Sequence, residues 1–202
     1  STSANAHLYT VPYSKTSAAA ASALALTGAA GRVEYYGAFS PDDKLVAYNE
    51  NSSADANATH RSLDMMDWNT SNEFLDGMYA QPKTEIYVSL AAGDMKRRLA
   101  ANDPPQCPGQ PTSPGINNSW PKWSPHAEPS GNMTYYWLIF SSWREGGHYS
   151  SGGPIAQLYM TAVTVDEQNI QTNYPAICLW NQPATSSNHT PAWDKFQIPD
   201  VM

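Results

Sequence analysis

Two short words recur along the chain, and their recurrence constrains the fold more than any other feature. The first is an aliphatic residue followed by tyrosine: Leu8-Tyr9-Thr10, Ile86-Tyr87-Val88 and Leu158-Tyr159-Met160. The second is an aromatic residue at a Ser-Pro corner: Phe39-Ser40-Pro41 and Trp123-Ser124-Pro125, with a degenerate third copy in Pro191-Ala192-Trp193. The two words alternate along the chain. Self-similarity on this scale marks supersecondary units that cannot bury their own apolar faces and so stack on one another.

The segments that carry these words read as strands. Short runs rich in Tyr, Trp, Val, Ile and Thr, bounded by Pro, Gly, Asn and Asp, predict strands over 32–39, 44–49, 85–91, 96–101, 135–143, 157–163 and 176–180. Helical periodicity is nearly absent. The alanine-rich run 18–26 favours a helix by propensity, yet it is short and Gly28 follows it, so a helical turn and a strand both stand there. Residues 51–77 have no clean period and read as a long inserted loop, and the Pro-rich stretches 103–115 and 182–191 read as loops.

One repeat then holds four strands. The first ends at the aromatic Ser-Pro corner, the second follows a tight turn, the third carries the aliphatic-Tyr pair, and the fourth is short. In Ser40-Pro41-Asp42-Asp43-Lys44 the proline presets a turn corner and aspartate bonds its own backbone.

Composition removes several functions. Lys+Arg 11 against Asp+Glu 18 gives a formal charge of -7, a poor match for a phosphate backbone. No apolar run reaches the length of a membrane-spanning helix. The chain opens at Ser1 with no signal-like segment, which predicts a processed product or a piece of a longer chain, placed in the periplasm or outside the cell. For Cys107 and Cys178, one disulfide and two separate thiols stand as equal readings. Six sequons occur, at Asn51, Asn57, Asn69, Asn117, Asn132 and Asn188, in a chain rich enough in Asn, Ser and Thr for most to be chance.

The run Ala38-Phe39-Ser40-Pro41-Asp42-Asp43-Lys44-Leu45-Val46-Ala47-Tyr48 resembles the F-S-P-D-G-K-x-[IVL]-A-[FY] repeat of TolB-type β-propellers. Glu85-Ile86-Tyr87-Val88 is similar to the third strand of the same blade, and Trp123-Ser124-Pro125 with Trp137-Leu138-Ile139-Phe140 resembles a second copy with a longer turn. Asp43 stands where that repeat usually has glycine. The resemblance implies an all-β propeller of four-stranded antiparallel blades, about three of them in an incomplete ring. Residues 1–30 would be the last strands of one blade, 31–105 a second blade with its insertion, 116–185 a third, and 186–202 the first strand of another. Propellers close with four to eight blades, so upstream sequence or a partner chain is expected to complete this one, the alternative being a cryptic blade inside residues 51–77.

Catalytic motifs are missing from the sequence: no G-x-S-x-G elbow, no phosphate-binding glycine loop and no H-E-x-x-H pair occurs. Trp143, Arg144, His148 and Tyr149 follow one predicted strand, and these residue types dominate binding hot spots, so they form the predicted binding surface. Asp64, Asp67 and Asp76 in the insertion offer oxygen donors for Ca²⁺, although their spacing fits no EF-hand and a solvated acidic loop is the favoured reading. No cofactor is expected otherwise. The expected function is a non-catalytic binding or assembly module in an extracytoplasmic complex. Two alternatives stand beside it: the propeller domain of a larger hydrolase of prolyl-oligopeptidase type, and a glycan-binding or lyase propeller.

Overall fold

The computed structural model describes residues 7–11, 24–25, 32–52, 84–93, 95–103, 118–142, 149–150, 153–154, 156–166, 169–183, 188 and 190–193. Among these the fold is all-β, and the one helical element is a 3-10 turn at Ala100–Asn102.

Four antiparallel strands make the first sheet: β3 (Arg32–Phe39), β4 (Leu45–Ser52), β5 (Glu85–Leu90) and β6 (Arg97–Arg98), hydrogen-bonded in chain order. The second sheet runs the same way through β7 (Asn118–Ser130), β8 (Met133–Ser142) and β11 (Gln157–Asp166). Its fourth place is shared by β12 (Asn169–Asn173) and β13 (Ile177–Cys178), which pair successive stretches of β11. Ahead of the first sheet, β1 (Tyr9–Thr10) pairs with β2 (Leu24–Ala25), so the alanine-rich run contributes a strand there. A small pair, β9 (Tyr149–Ser150) with β10 (Gly153–Pro154), precedes β11.

The two sheets are copies of one unit. Tyr48 stands opposite Tyr87 in the first and Phe140 opposite Tyr159 in the second. Both ring pairs stack, with centroids 6.1 Å apart at 22° and 6.0 Å apart at 24°. The hairpin β1–β2 repeats the outer half of the unit: Tyr9 pairs with Ala25 as Tyr87 pairs with Arg98 and Tyr159 with Cys178.

The units stack head to tail. Successive side chains of a strand point to opposite faces. Leu45, Ala47, Ile86 and Val88 on the trailing face of the first sheet join one core with Leu138, Phe140 and Tyr159 on the leading face of the second. The leading face of the first sheet, with Val46, Tyr48 and Tyr87, packs on Leu8 of the β1–β2 hairpin.

Several expectations are corrected at their edges. The Ser-Pro corner ends the first strand of unit one, where Asp43 takes the left-handed φ of 59° that glycine usually supplies. In unit two the strand runs on through Trp123-Ser124-Pro125 to Ser130, and the turn falls at Gly131-Asn132. A register shift between Trp123 and Ala127 absorbs the proline, which has no N–H for the ladder and is tolerated at a bulge. Strand β4 takes in Asn51 and Ser52, the first two residues of the expected insertion. The expected strand 96–101 keeps two residues and then tightens into the 3-10 turn.

Candidate assembly interface

The contact between units is built from a short list of hydrogen bonds that occurs twice. Trp123 donates its indole N–H to the carbonyl of Ala38 at 2.9 Å, and Trp193 donates to Lys122 at 2.9 Å. Ala38 and Lys122 are the residues just before the corner aromatics Phe39 and Trp123. The backbone N–H of Asn118 donates to the Thr84 carbonyl, and that of Asn188 to the Ala156 carbonyl, in each case the residue just ahead of the third strand. The side chain of Asn49 donates to the Asn118 carbonyl, and that of Ser141 to the Asn188 carbonyl. The Asn118 amide donates to Asn102 Oδ1 at 3.2 Å, and the Asn188 amide to Gln182 Oε1 at 3.1 Å.

Behind these bonds sits a clamp inside each unit. Asn102 accepts from the Ile86 N–H and donates to the Ile86 and Leu99 carbonyls. Gln182 accepts from the Leu158 N–H and donates to the Leu158 and Leu179 carbonyls. An amide carries both donors and acceptors, so one side chain satisfies a strand edge that has lost its neighbour. The 3-10 turn at Ala100–Asn102 is what turns the first clamp back toward β5.

Backbone conformation repeats as well. Tyr36, Trp120 and Thr190 have φ of 52°, 57° and 58°, each three residues before Phe39, Trp123 or Trp193. A non-glycine residue with positive φ costs about 1–3 kcal/mol unless its surroundings hold it. At the first junction the holding contact is a ring stack, Tyr36 on Trp120 with centroids 4.1 Å apart at 21°. Residues 188, 190 and 193 thus repeat, toward unit two, the contacts and backbone conformation that residues 118, 120 and 123 show toward unit one.

A second cluster ties the β1–β2 hairpin to the first sheet. Glu34, Glu50 and Glu85 lie in register across β3, β4 and β5. Arg32 and Lys96 pair with Glu50, and Arg98 pairs with Glu85 at 2.6 Å and Asp103 at 2.9 Å. Those two bonded carboxylates raise the Arg98 pKa. Glu34 accepts from the Leu8 N–H at 3.1 Å, and His7 lies 3.9 Å away. Burial pushes the Glu34 carboxyl up; the Leu8 bond opposes it and the Glu50 charge adds to it. Burial likewise raises the Tyr87 hydroxyl, to about 12, with the Glu50 and Glu85 charges adding. The Lys96 ammonium lies 4.6 Å from the Tyr87 ring centre, a cation–π contact. Arg32, Lys96 and Arg98 thus offset Glu50, Glu85 and Asp103 at the sheet end, while Glu34 and His7 meet at the hairpin.

At the turn, Asp42 accepts from Tyr136 of the other sheet at 2.8 Å and from Ser40 at 2.8 Å. Burial pushes Asp42 up, but the bonds from Tyr136, Ser40 and Lys44 outweigh it and hold the carboxyl below its usual range.

Most of the predicted binding surface is not brought into view. Trp143, Arg144 and His148 lie outside the described residues, and Tyr149 is described only as a backbone partner of Pro154. Asp64, Asp67 and Asp76 lie outside them too, as does Cys107, while Cys178 is an exposed free thiol. Among the described residues the exposed aromatics are Tyr9, Phe39, Tyr174 and Trp180, and Trp180, 89% exposed beside β13, lies near the exposed Ile177 of that strand.

Sequence reading missed the clamps and the junction asparagines. Their signal is present in Asn118-Ser119-Trp120-Pro121-Lys122-Trp123 against Asn188-His189-Thr190-Pro191-Ala192-Trp193, and in Leu99-Ala100-Ala101-Asn102 against Leu179-Trp180-Asn181-Gln182. No family model, curated protein or solved structure matches the chain.

Proposed function

We propose that this chain is a non-catalytic assembly module, a stack of propeller-type blades resembling the TolB repeat, working in an extracytoplasmic protein complex. One observation carries the reading: the same set of hydrogen bonds joins unit one to unit two and unit two to residues 188–193. A junction that repeats in register is a device for adding units. The amide groups that line it are engaged in holding strands together. Each four-stranded sheet is a rigid support for the loops it carries, the arrangement by which scaffolds present binding surfaces.

The test is the mass of the native particle. A module of this kind travels with other protein, so native mass spectrometry should give a particle heavier than the 22.1 kDa chain. A monodisperse native particle of the chain mass, unfolding in one cooperative step, overturns the reading.

A further inference from the structure

We infer that copies of this chain associate head to tail, the Tyr9–Val11 face of one copy seating on the Leu158, Met160 and Leu179 face of the next. The inference deepens the assembly reading and rests on it, because it names the partner as a second copy.

The interior junction supplies the argument. There the leading face of unit two, with Phe140 and Tyr159, seats on Leu45, Ile86, Val88 and Leu99 of unit one, and these four are fully buried. Their counterparts on the trailing face of unit two are Trp137, Leu158, Met160 and Leu179. All four are only half-buried. Residues 188 and 190–193 already lie beside this face, through Asn188, Ser141 and Trp193.

The other end of the row has the matching deficit. Leu8 and Thr10 turn toward the first sheet: Leu8 packs with Val46 and Tyr87, and the Thr10 hydroxyl bonds the Ala91 carbonyl at 2.9 Å. Tyr9 and Val11 therefore point away from it. Tyr9 is 58% exposed and Val11 56%, whereas Tyr87 and Tyr159, in the same place of the two full units, are 9% and 4% exposed.

One end thus shows an exposed leading face and the other a trailing face that is only half covered, with Ile139 its one buried apolar side chain among these places. These are the two kinds of surface already joined inside the molecule. The hairpin β1–β2 holds third- and fourth-strand places and residues 188 and 190–193 make the contacts of a first strand, so the two ends do not compete for position. A contact of this kind joins different patches on the two copies, and it either closes into a ring or runs on.

Such a contact has a diagnostic behaviour in light scattering coupled to gel filtration of the purified full chain. The wild-type chain should run heavier than a monomer. Tyr9→Asp, at an exposed position, and Met160→Asp, at a half-buried one, should each weaken association by about tenfold or more and run as monomers. An equimolar mixture of the two variants should recover a dimer and nothing larger, since one intact head meets one intact tail. Circular dichroism checks folding, and Leu158→Gln replaces Met160→Asp if that variant unfolds. A wild-type monomer at all concentrations, either variant associating like wild type, or a mixture that stays monomeric overturns the inference. If the purified chain is monomeric while the native particle is heavier than one chain, this inference falls and the assembly reading stands. If both are monomeric, both fall.

Discussion

Leu99 and Leu179 hold the same place in the two units, yet one is fully buried and the other half-exposed. The difference runs through the whole pair of sheets. Asn102 is fully buried while Gln182 is partly open, although they bind their neighbouring strands in the same pattern. Trp123, on β7, is buried between the two sheets while Trp193 is half-buried. Local hydrogen bonding is therefore a property of the unit, whereas burial is a property of the neighbour. The same bond is worth more where water cannot replace it, and the same leucine is worth more where a second sheet covers it.

The sharpest break in the comparison is Leu99→Ala against Leu179→Ala. The first should cost about 3 kcal/mol, the scale of a cavity in a packed core, and the second about 1 kcal/mol. Urea denaturation of the two variants reads the gap, and equal losses would mean that the second unit is as well covered as the first. The clamps come next. Asn102→Ala strands the Ile86 N–H in the core, while the Ile86 and Leu99 carbonyls keep the Leu99 and Asn102 backbone N–H groups; it should cost about 2 kcal/mol, against about 1 kcal/mol for Gln182→Ala, where water can enter. Hydrogen exchange at the Ile86 and Leu158 amides shows the same contrast residue by residue.

Replacing the corner tryptophans by phenylalanine keeps a ring and deletes only the indole donor. Trp123→Phe should lose about 1.5 kcal/mol and Trp193→Phe less than half of that. The melting temperatures of the two variants separate these outcomes.

The smallest effect concerns the one junction residue that departs from the repeat. Asn118 and Asn188 are neutral amides, but the corresponding place in unit one holds the buried Glu34, whose Oε1 has no hydrogen-bond partner. Because its folded-state pKa is raised, the folded chain binds more protons there than the unfolded chain. Its contribution is present in full below the ordinary carboxylate range and is lost as pH rises through the raised value. Glu34→Gln keeps an acceptor for the Leu8 N–H and removes the charge. It should gain about 1 kcal/mol at neutral pH, the low end of what an unsatisfied buried group costs. It should also flatten the stability profile above the ordinary carboxylate range. Unchanged slopes in thermal melts across that range would assign the pH dependence to other groups.

The sequence made some elements plain and hid others for physical reasons. The strand Arg32–Phe39 was readable to the residue, because a short run rich in Val and Tyr ends at a proline corner. The third strands were readable from their aliphatic-Tyr pairs, whose tyrosines sit in matching register. Strand Asn118–Ser130 was hidden by Pro121, Pro125 and Pro129, which punctuate like a loop. They are tolerated because β7 is an edge strand with two register shifts. Strand Asn169–Asn173 was hidden by its polarity, since Ile170 is the one side chain it sends into the core.

By itself, then, the order of residues determined the repeating unit. Periodicity of two, turn chemistry and the spacing of aromatic corners are local, and local sterics and burial preference suffice to specify a four-stranded antiparallel sheet. The direction of stacking was decided only in three dimensions. Which face of each sheet meets its neighbour depends on contacts between residues far apart in the chain, such as Trp123 with Ala38 and Asn188 with Ala156. No local pattern encodes which of two apolar faces will be covered, because that follows from what lies beside it.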